Sequence, residues 1–139
     1  MVCYFQIGDK QMGNVHSRVL VEITLEKMRE CVEAGKFIIL QRDSNVDFIT
    51  AYSITELAQR DILLGLAIED YCESEPSEKV PGSYVHVFGF RPNLTDSHGT
   101  SCSVDMYVKF EIVERPSGSI TVFISFHEQH FPMVFPFRK

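Results

Sequence analysis

Three side chains in the second half of the chain have the chemistry to cleave a phosphodiester without a metal ion. His127 ends an alternating segment at residues 120–129, and Tyr107 and Lys109 lie on the preceding alternating segment. A histidine with an unperturbed pKa of about 6.5 exchanges protons near neutral pH. A lysine ammonium stabilises the charge that builds on a phosphorane-like transition state. This chemistry suits RNA, whose 2′-hydroxyl is its own nucleophile, and makes His127, Lys109 and Tyr107 the candidate catalytic residues.

A second interpretation needs no catalysis. One face of an antiparallel sheet is commonly exposed to solvent, and polar side chains on such a face usually serve only solubility. The same residues are therefore compatible with a non-catalytic interaction domain that uses its sheet face or its acidic surface to bind a protein.

The candidate residues must be positioned by strands. Alternation of apolar and polar residues predicts strands at 84–90, 103–114 and 119–127. Gly118 closes the turn between the last two strands, where it can adopt the positive φ that hairpins often require. We therefore expect an antiparallel sheet in this half of the chain.

The register of the last two strands decides whether the candidate residues meet. Pairing of Glu111 with Phe123 places most apolar side chains on one face. The same register places Tyr107 directly across from His127, with Lys109 on the diagonal. The apolar face is then predicted to contain Val104, Met106, Val108, Phe110, Ile112, Val122, Ile124 and Phe126, with Phe123 on the polar face.

Helices are predicted before this sheet. A helix over 17–34 follows from apolar side chains at helical spacing, which are Val21, Leu25, Met28 and Val32, and Gly35 suits its end. Ser53 and Glu56 form a capping box that predicts a second helix over 54–66. A short strand is compatible with 36–41 and a helical turn with 67–72, whereas 73–82 is predicted as a loop. Helices followed by an antiparallel sheet indicate an α+β fold.

Composition limits the class of protein. The 139 residues fit one domain, 1–139, with 1–16 expected as a loosely ordered segment and 131–139 as a tail that covers the sheet. A net charge of −6 argues against broad, non-specific binding of nucleic acid. Four widely spaced cysteines, together with the absence of a leader or a long apolar run, favour a cytoplasmic chain without a membrane span.

No cofactor or metal is expected from the motifs. The segment His127-Glu-Gln-His130 is one residue shorter than the zinc motif HExxH, and on a strand its two histidines would point to opposite faces. Neither a phosphate-binding glycine loop nor a serine-hydrolase elbow is present in the sequence.

Several short segments, taken in order, resemble a known family. They are Ile54-Thr-Glu-Leu57, Val87-Phe-Gly89, Met106-Tyr-Val-Lys-Phe110 and Ile124-Ser-Phe-His127, followed by the aromatic tail. From about residue 17 the chain resembles MqsR-type toxins of bacterial toxin–antitoxin systems. The resemblance implies a RelE-like fold, cleavage of mRNA, on or off the ribosome, and a cognate antitoxin that binds the protein.

The resemblance also implies roles for individual residues. Lys109 matches a lysine in the equivalent strand of the family, whereas His127 stands where better-known members have lysine. Arg91, in Phe90-Arg91-Pro92, matches the arginine of a Tyr-Arg-Pro segment and would clamp phosphate, with Arg138 as a helper from the tail. Glu73 replaces another lysine of the family, which removes positive charge from the expected RNA surface.

Overall fold

Helices precede and pack on a mainly antiparallel sheet, which confirms the predicted α+β class. The structure, a computed structural model, describes residues 14–138. In that range the helices are α1 (Arg18–Glu33), α2 (Asp43–Ala51) and α3 (Glu56–Leu64), with a 3₁₀ turn at Ile68–Asp70. The strands are β1 (Phe37–Ile39), β2 (Tyr71–Pro76), β3 (Tyr84–Phe90), β4 (Asn93–Thr95), β5 (Ser101–Ser103), β6 (Met106–Arg115) and β7 (Gly118–Glu128). None of the helices in the described range combines the length and apolar character needed to cross a bilayer.

The predicted first helix is confirmed, and Gly35 lies at its end as predicted. Ser17 is the N-cap, and its hydroxyl accepts a hydrogen bond from the Leu20 backbone N–H at 3.2 Å. Gly35 follows the C-cap with a φ of +73°. The apolar side chains predicted to face the core are buried, namely Val21, Leu25, Met28 and Val32.

The second predicted helix begins later than expected. Thr55, not Ser53, is the N-cap of α3, and its hydroxyl accepts from the Ala58 N–H at 3.2 Å. The predicted capping box is therefore wrong, because Ser53 has a positive φ of 48° and is used in the turn before the helix. Helix α2 was not predicted, since it buries only Asn45 and Phe48 and so lacks an extended apolar periodicity.

Part of the predicted loop at 73–82 is a strand. Residues 71–76 form β2, the edge strand that pairs antiparallel with β3. Tyr71 and Ser74 are buried while Pro76 ends the strand, a position where a missing N–H is tolerated. The other side of β2 forms an antiparallel bridge, between Ser74 and Asn14. The charged and proline-rich composition concealed this strand, because glutamate and proline are depleted in strands.

The main sheet has the strand order β1-β7-β6-β3-β2, with β1 parallel to β7 and the other pairs antiparallel. The helices cover one face, and the core between them is dominated by aromatic side chains from the sheet, including Phe88, Phe110, Phe123 and Phe126. The opposite face, called the outer face below, carries Tyr107 and Lys109. The separate pair β4–β5 forms a short hairpin between β3 and β6.

A β-bulge corrects the predicted register of β6 and β7. Tyr107 pairs with His127 as predicted, and Lys109 pairs with Ser125, but Phe110 then pairs with Phe123. Ile124 has no partner in the ladder. The extra residue reverses the alternation of side chains beyond it.

The bulge changes which side chains of β7 are buried. Phe123 is fully buried in the core instead of lying on the polar face, and Val122 and Ile124 line a groove on the outer face instead of the core. Glu111 pairs with Val122, not with Phe123. The prediction was therefore right on the side of the bulge that carries His127 and wrong on the side nearer the hairpin.

Candidate functional site

Asn45 of α2 holds the bulge in place. Its amide nitrogen donates to the backbone oxygens of Leu40, at 2.9 Å, and Ile124, at 3.0 Å, and its oxygen accepts from the Phe126 N–H at 2.9 Å. The side chain is fully buried. Backbone groups beside the bulge are thereby satisfied, as buried polar groups must be. Sequence reasoning missed Asn45, whose one signal was an amide among the apolar positions of a short helix.

Tyr107 and His127 lie side by side on the outer face. Their rings are stacked, with centroids 5.6 Å apart and planes 19° from parallel. His130 stacks on His127 at 5.5 Å, and the Phe131 ring contacts Tyr107 edge-on at 5.4 Å. Four rings from β6, β7 and the start of the tail therefore form one continuous aromatic and imidazole surface.

The hydrogen bond of His127 determines its tautomer. Nδ1 lies 2.8 Å from the backbone oxygen of Glu128, which can only accept, so Nδ1 carries the proton and donates it. In the neutral ring Nε2 then has a free lone pair. The His127 side chain is half-buried, so part of it is open to solvent or to a ligand. The ring is thus oriented to accept a proton at Nε2.

Tyr107 keeps its proton at neutral pH. Burial above all, together with the charges of Glu75, Glu73 and Cys72, raises the pKa of its phenol to about 12. A phenol with this pKa donates a hydrogen bond and does not act as a base. Tyr107 can therefore orient an anionic group beside His127.

Lys109 lies two residues along β6 from Tyr107, on the same face. It lines a groove of about 490 Å³ whose aliphatic lining includes Val85, Val122 and Ile124. Within residues 14–138 Lys109 forms no ion pair. The groove lining carries three cations, Arg42, Lys79 and Lys109, and three carboxylates, Glu75, Glu78 and Glu111.

Arg91 is placed near the Tyr107 end of the outer face. It follows β3, in which Gly89 pairs with Tyr107, and its Nε lies 3.6 Å from the Asp105 carboxylate. Both side chains are well exposed. An exposed ion pair of this kind contributes little to stability and can open to let the guanidinium bind phosphate.

Arg138 connects the tail to the 3₁₀ turn. Its Nε donates to the Glu69 backbone oxygen at 3.1 Å, and a terminal nitrogen lies 3.4 Å from the Asp70 carboxylate. The guanidinium also stacks 3.7 Å from the centre of the Phe135 ring. These contacts use Arg138 within the molecule, and the structure does not bring it together with Tyr107 and His127.

The tail lies against the sheet through aromatic contacts. A Cβ atom at Gly89 would come within 2.8 Å of the Phe135 ring, so the absence of a side chain at this position gives the ring its place on the outer face. Phe137 stacks on Tyr71 at 5.6 Å. Residue 139 and the predicted loosely ordered segment, apart from 14–16, lie outside the described residues.

A serine–histidine pair elsewhere in the sheet is structural. Ser74 Oγ lies 2.8 Å from His86 Nδ1 and 2.8 Å from the Tyr71 hydroxyl. Ser74 is fully buried, so no substrate reaches it. Burial, together with the nearby His16, lowers the pKa of His86 to about 4. His86 is therefore neutral near pH 7 and serves the packing of the sheet.

Comparison of the chain with models of known protein families, with curated proteins and with solved structures found no match. The resemblance to MqsR-type toxins and the RelE-like assignment accordingly remain predictions.

Proposed function

We propose that this chain is a metal-independent endoribonuclease that cleaves single-stranded mRNA on the outer face of its sheet. The observation that carries the proposal is the hydrogen bond from His127 Nδ1 to the Glu128 backbone oxygen, which leaves Nε2 as a proton acceptor. The adjacent stack of rings favours unpaired bases, because aromatic side chains bind the faces of bases with little regard to sequence.

The proposed reaction uses the 2′-hydroxyl of RNA as nucleophile. His127 Nε2 accepts the 2′-hydroxyl proton as the 2′-oxygen bonds to phosphorus. Lys109 stabilises the negative charge on the non-bridging oxygens, and the Tyr107 phenol and Arg91 orient the phosphate. The bond from phosphorus to the 5′-oxygen then breaks, that oxygen takes a proton from a water molecule, and the resulting hydroxide takes up the proton held on His127 Nε2. The products are a 2′,3′-cyclic phosphate and a 5′-hydroxyl end.

The biological setting of this proposal comes from the resemblance. A toxin of the MqsR type acts in the cytoplasm on mRNA, on or off the ribosome, and is silenced by an antitoxin protein. An α+β fold with an uncovered groove on the outer face is compatible with a RelE-like ribonuclease. Co-expression with the product of an adjacent reading frame, followed by co-purification, tests for the antitoxin.

Substitution of His127 and Lys109 tests the catalytic proposal. His127→Ala and Lys109→Ala should each lower the rate of single-stranded RNA cleavage by about 100-fold or more, since one group transfers a proton and the other stabilises charge. The assay measures cleavage of free and ribosome-bound mRNA, the cyclic phosphate end and growth arrest on expression. His98→Ala changes an exposed histidine on a loop and should leave all of these unchanged. A wild-type chain that neither arrests growth nor cuts RNA in either setting would sink the proposal.

The second candidate function is a protein-interaction domain, and α1 provides the observation that favours it. Val19 and Ile23 lie one turn apart on this helix and are exposed, as are neighbouring Val15 and Leu20. Contiguous exposed apolar side chains often mark a protein interface. Under this alternative, Val19→Ser with Ile23→Ser abolishes complex formation, whereas His127→Ala has no phenotype.

A further inference from the structure

Glu111 is a buried carboxylate in the floor of the outer-face groove. It is only 7 % exposed, and its Oε2 has no hydrogen-bond partner among the described residues. It forms no ion pair within residues 14–138. Removal of a carboxylate from water without a compensating partner is unfavourable. A ligand that supplies a hydrogen-bond donor to Glu111 would offset this cost.

The residues around Glu111 indicate which chemical groups a ligand of this groove would carry. Lys109 lies two positions away on the same face of β6 and also lacks an ion pair in the described part of the chain. Among the six charged side chains of the groove, Glu111 and Lys109 are thus neighbours on β6 that do not pair with each other. The apolar part of the lining comes from Leu40, Val80, Val85, Val113, Val122 and Ile124, and the remainder, besides Glu111 and Lys109, from β2 and the segment after it, with Arg42.

A ligand complementary to this lining has three parts. A cationic N–H donor would pair with Glu111, an anion would pair with Lys109, and an aliphatic body would cover the apolar lining. The six charged side chains of the groove sum to zero, so neither a simple cation nor a simple anion is favoured over a molecule that carries both charges. The volume of about 490 Å³ lies within the range of pockets that bind small molecules.

We propose that the groove binds a small zwitterion with aliphatic side chains, such as a short apolar peptide with free termini. Glu111 accepts hydrogen bonds from the ligand ammonium, and Lys109 pairs with the ligand carboxylate. The site shares Lys109 with the proposed RNA-cleaving residues, but the inference does not depend on RNA cleavage.

Titration with leucyl-leucine, followed by NMR of the full chain, tests the proposal. Binding should shift the amide signals of Val85, Val113 and Ile124. The N-acetylated dipeptide lacks the ammonium and the C-terminal amide lacks the carboxylate. Each should bind about ten-fold more weakly, because each loses a charge-assisted hydrogen bond.

Two variants test which side chain causes each loss of affinity. Glu111→Gln should bind the free and N-acetylated dipeptides equally, and Lys109→Gln should bind the free and amidated dipeptides equally. Glu114→Gln is the matched control, because Glu114 is exposed on the same strand and pairs with Lys27. The proposal is overturned if millimolar leucyl-leucine leaves the groove signals unchanged, or if the capped dipeptides bind the wild type as tightly as the free one.

A stability measurement separates binding from a structural role. If the role of Glu111 is to bind a ligand, Glu111→Val should abolish binding of leucyl-leucine. It should also raise the urea midpoint of the ligand-free protein, because it removes an unpaired buried carboxylate. A lowered midpoint would show that the carboxylate supports the fold and would overturn the proposal.

Discussion

The histidines of the sheet show how local environment sets the chemistry of a residue. His127 is half-buried on the outer face, with Nδ1 committed to a backbone oxygen. His86 is buried on the core side beside Phe110, and its pKa is lowered to about 4 by burial and by His16. A buried neutral histidine supports packing, whereas a half-buried one with Nδ1 bonded to the backbone keeps Nε2 as its remaining acceptor. Residue type alone therefore does not distinguish the role of His127 from that of His86.

The lowered pKa of His86 predicts a loss of stability in acid. The unfolded chain binds a proton near the ordinary pKa of 6.5, whereas the folded protein binds it only near 4. The stability is therefore fully present above pH 6.5 and declines as the pH falls from about 6.5 to about 4. Between pH 7.5 and 4.5 this loss is about 2–3 kcal/mol, and His86→Gln should remove that part of the pH dependence.

Urea unfolding at several pH values measures this effect. His98→Gln, which changes an exposed histidine, should keep the pH dependence of the wild type. An unchanged pH dependence in His86→Gln would show that other groups cause the acid sensitivity.

At the scale of elements, the pairing of β6 with β7 depends on α2. The bulge places Phe123 in the core while Tyr107 stays across from His127. The backbone groups beside this irregularity are satisfied by the Asn45 amide. A side chain from a helix thus stabilises the strand geometry that positions the candidate site.

Asn45→Ala should destabilise the protein by about 3 kcal/mol, because it leaves buried backbone groups without partners. Urea unfolding measures the change in the free energy of unfolding. Asn93→Ala is the control, since Asn93 is exposed and accepts one hydrogen bond from the Ser103 hydroxyl. It should cost well under 1 kcal/mol. Equal effects of the two substitutions would contradict the role assigned to Asn45.

At the scale of the whole molecule, charge limits how RNA can bind. The net charge of −6 repels a polyanion, so favourable contacts must be local. Lys109, Arg42 and Lys79 line the groove, but three carboxylates line it as well. The proposed ribonuclease therefore contacts few phosphates and gains little from long-range attraction.

The salt dependence of RNA binding should accordingly be shallow. With at most about four phosphates neutralised, by the three groove cations and Arg91, the logarithm of the association constant should fall with the logarithm of salt concentration with a slope on the order of −3. Fluorescence anisotropy with a short single-stranded RNA and the His127→Ala variant measures this slope without cleavage. A slope steeper than about −5 would reveal a wider basic surface than the structure presents.

Local patterns sufficed for several parts of this protein. Helix α1 with Gly35 at its end, the bounds of β3 and the hairpin at Gly118 follow from apolar spacing and from glycines that suit positive φ. The pairing of Tyr107 with His127 also followed from alternation counted along two strands joined by a short turn. These features depend on neighbours in sequence, which is why the sequence by itself determined them.

Tertiary structure alone decided the rest. Strand β2 exists because β3 supplies its partner, and the bulge exists because Asn45, about 80 residues away in sequence, satisfies the backbone beside it. The tautomer of His127 and the open oxygen of buried Glu111 likewise depend on atoms that only folding brings near. Hydrogen bonds and burial between distant segments do not produce a periodic pattern in a sequence, so only the fold shows how the candidate residues are arranged.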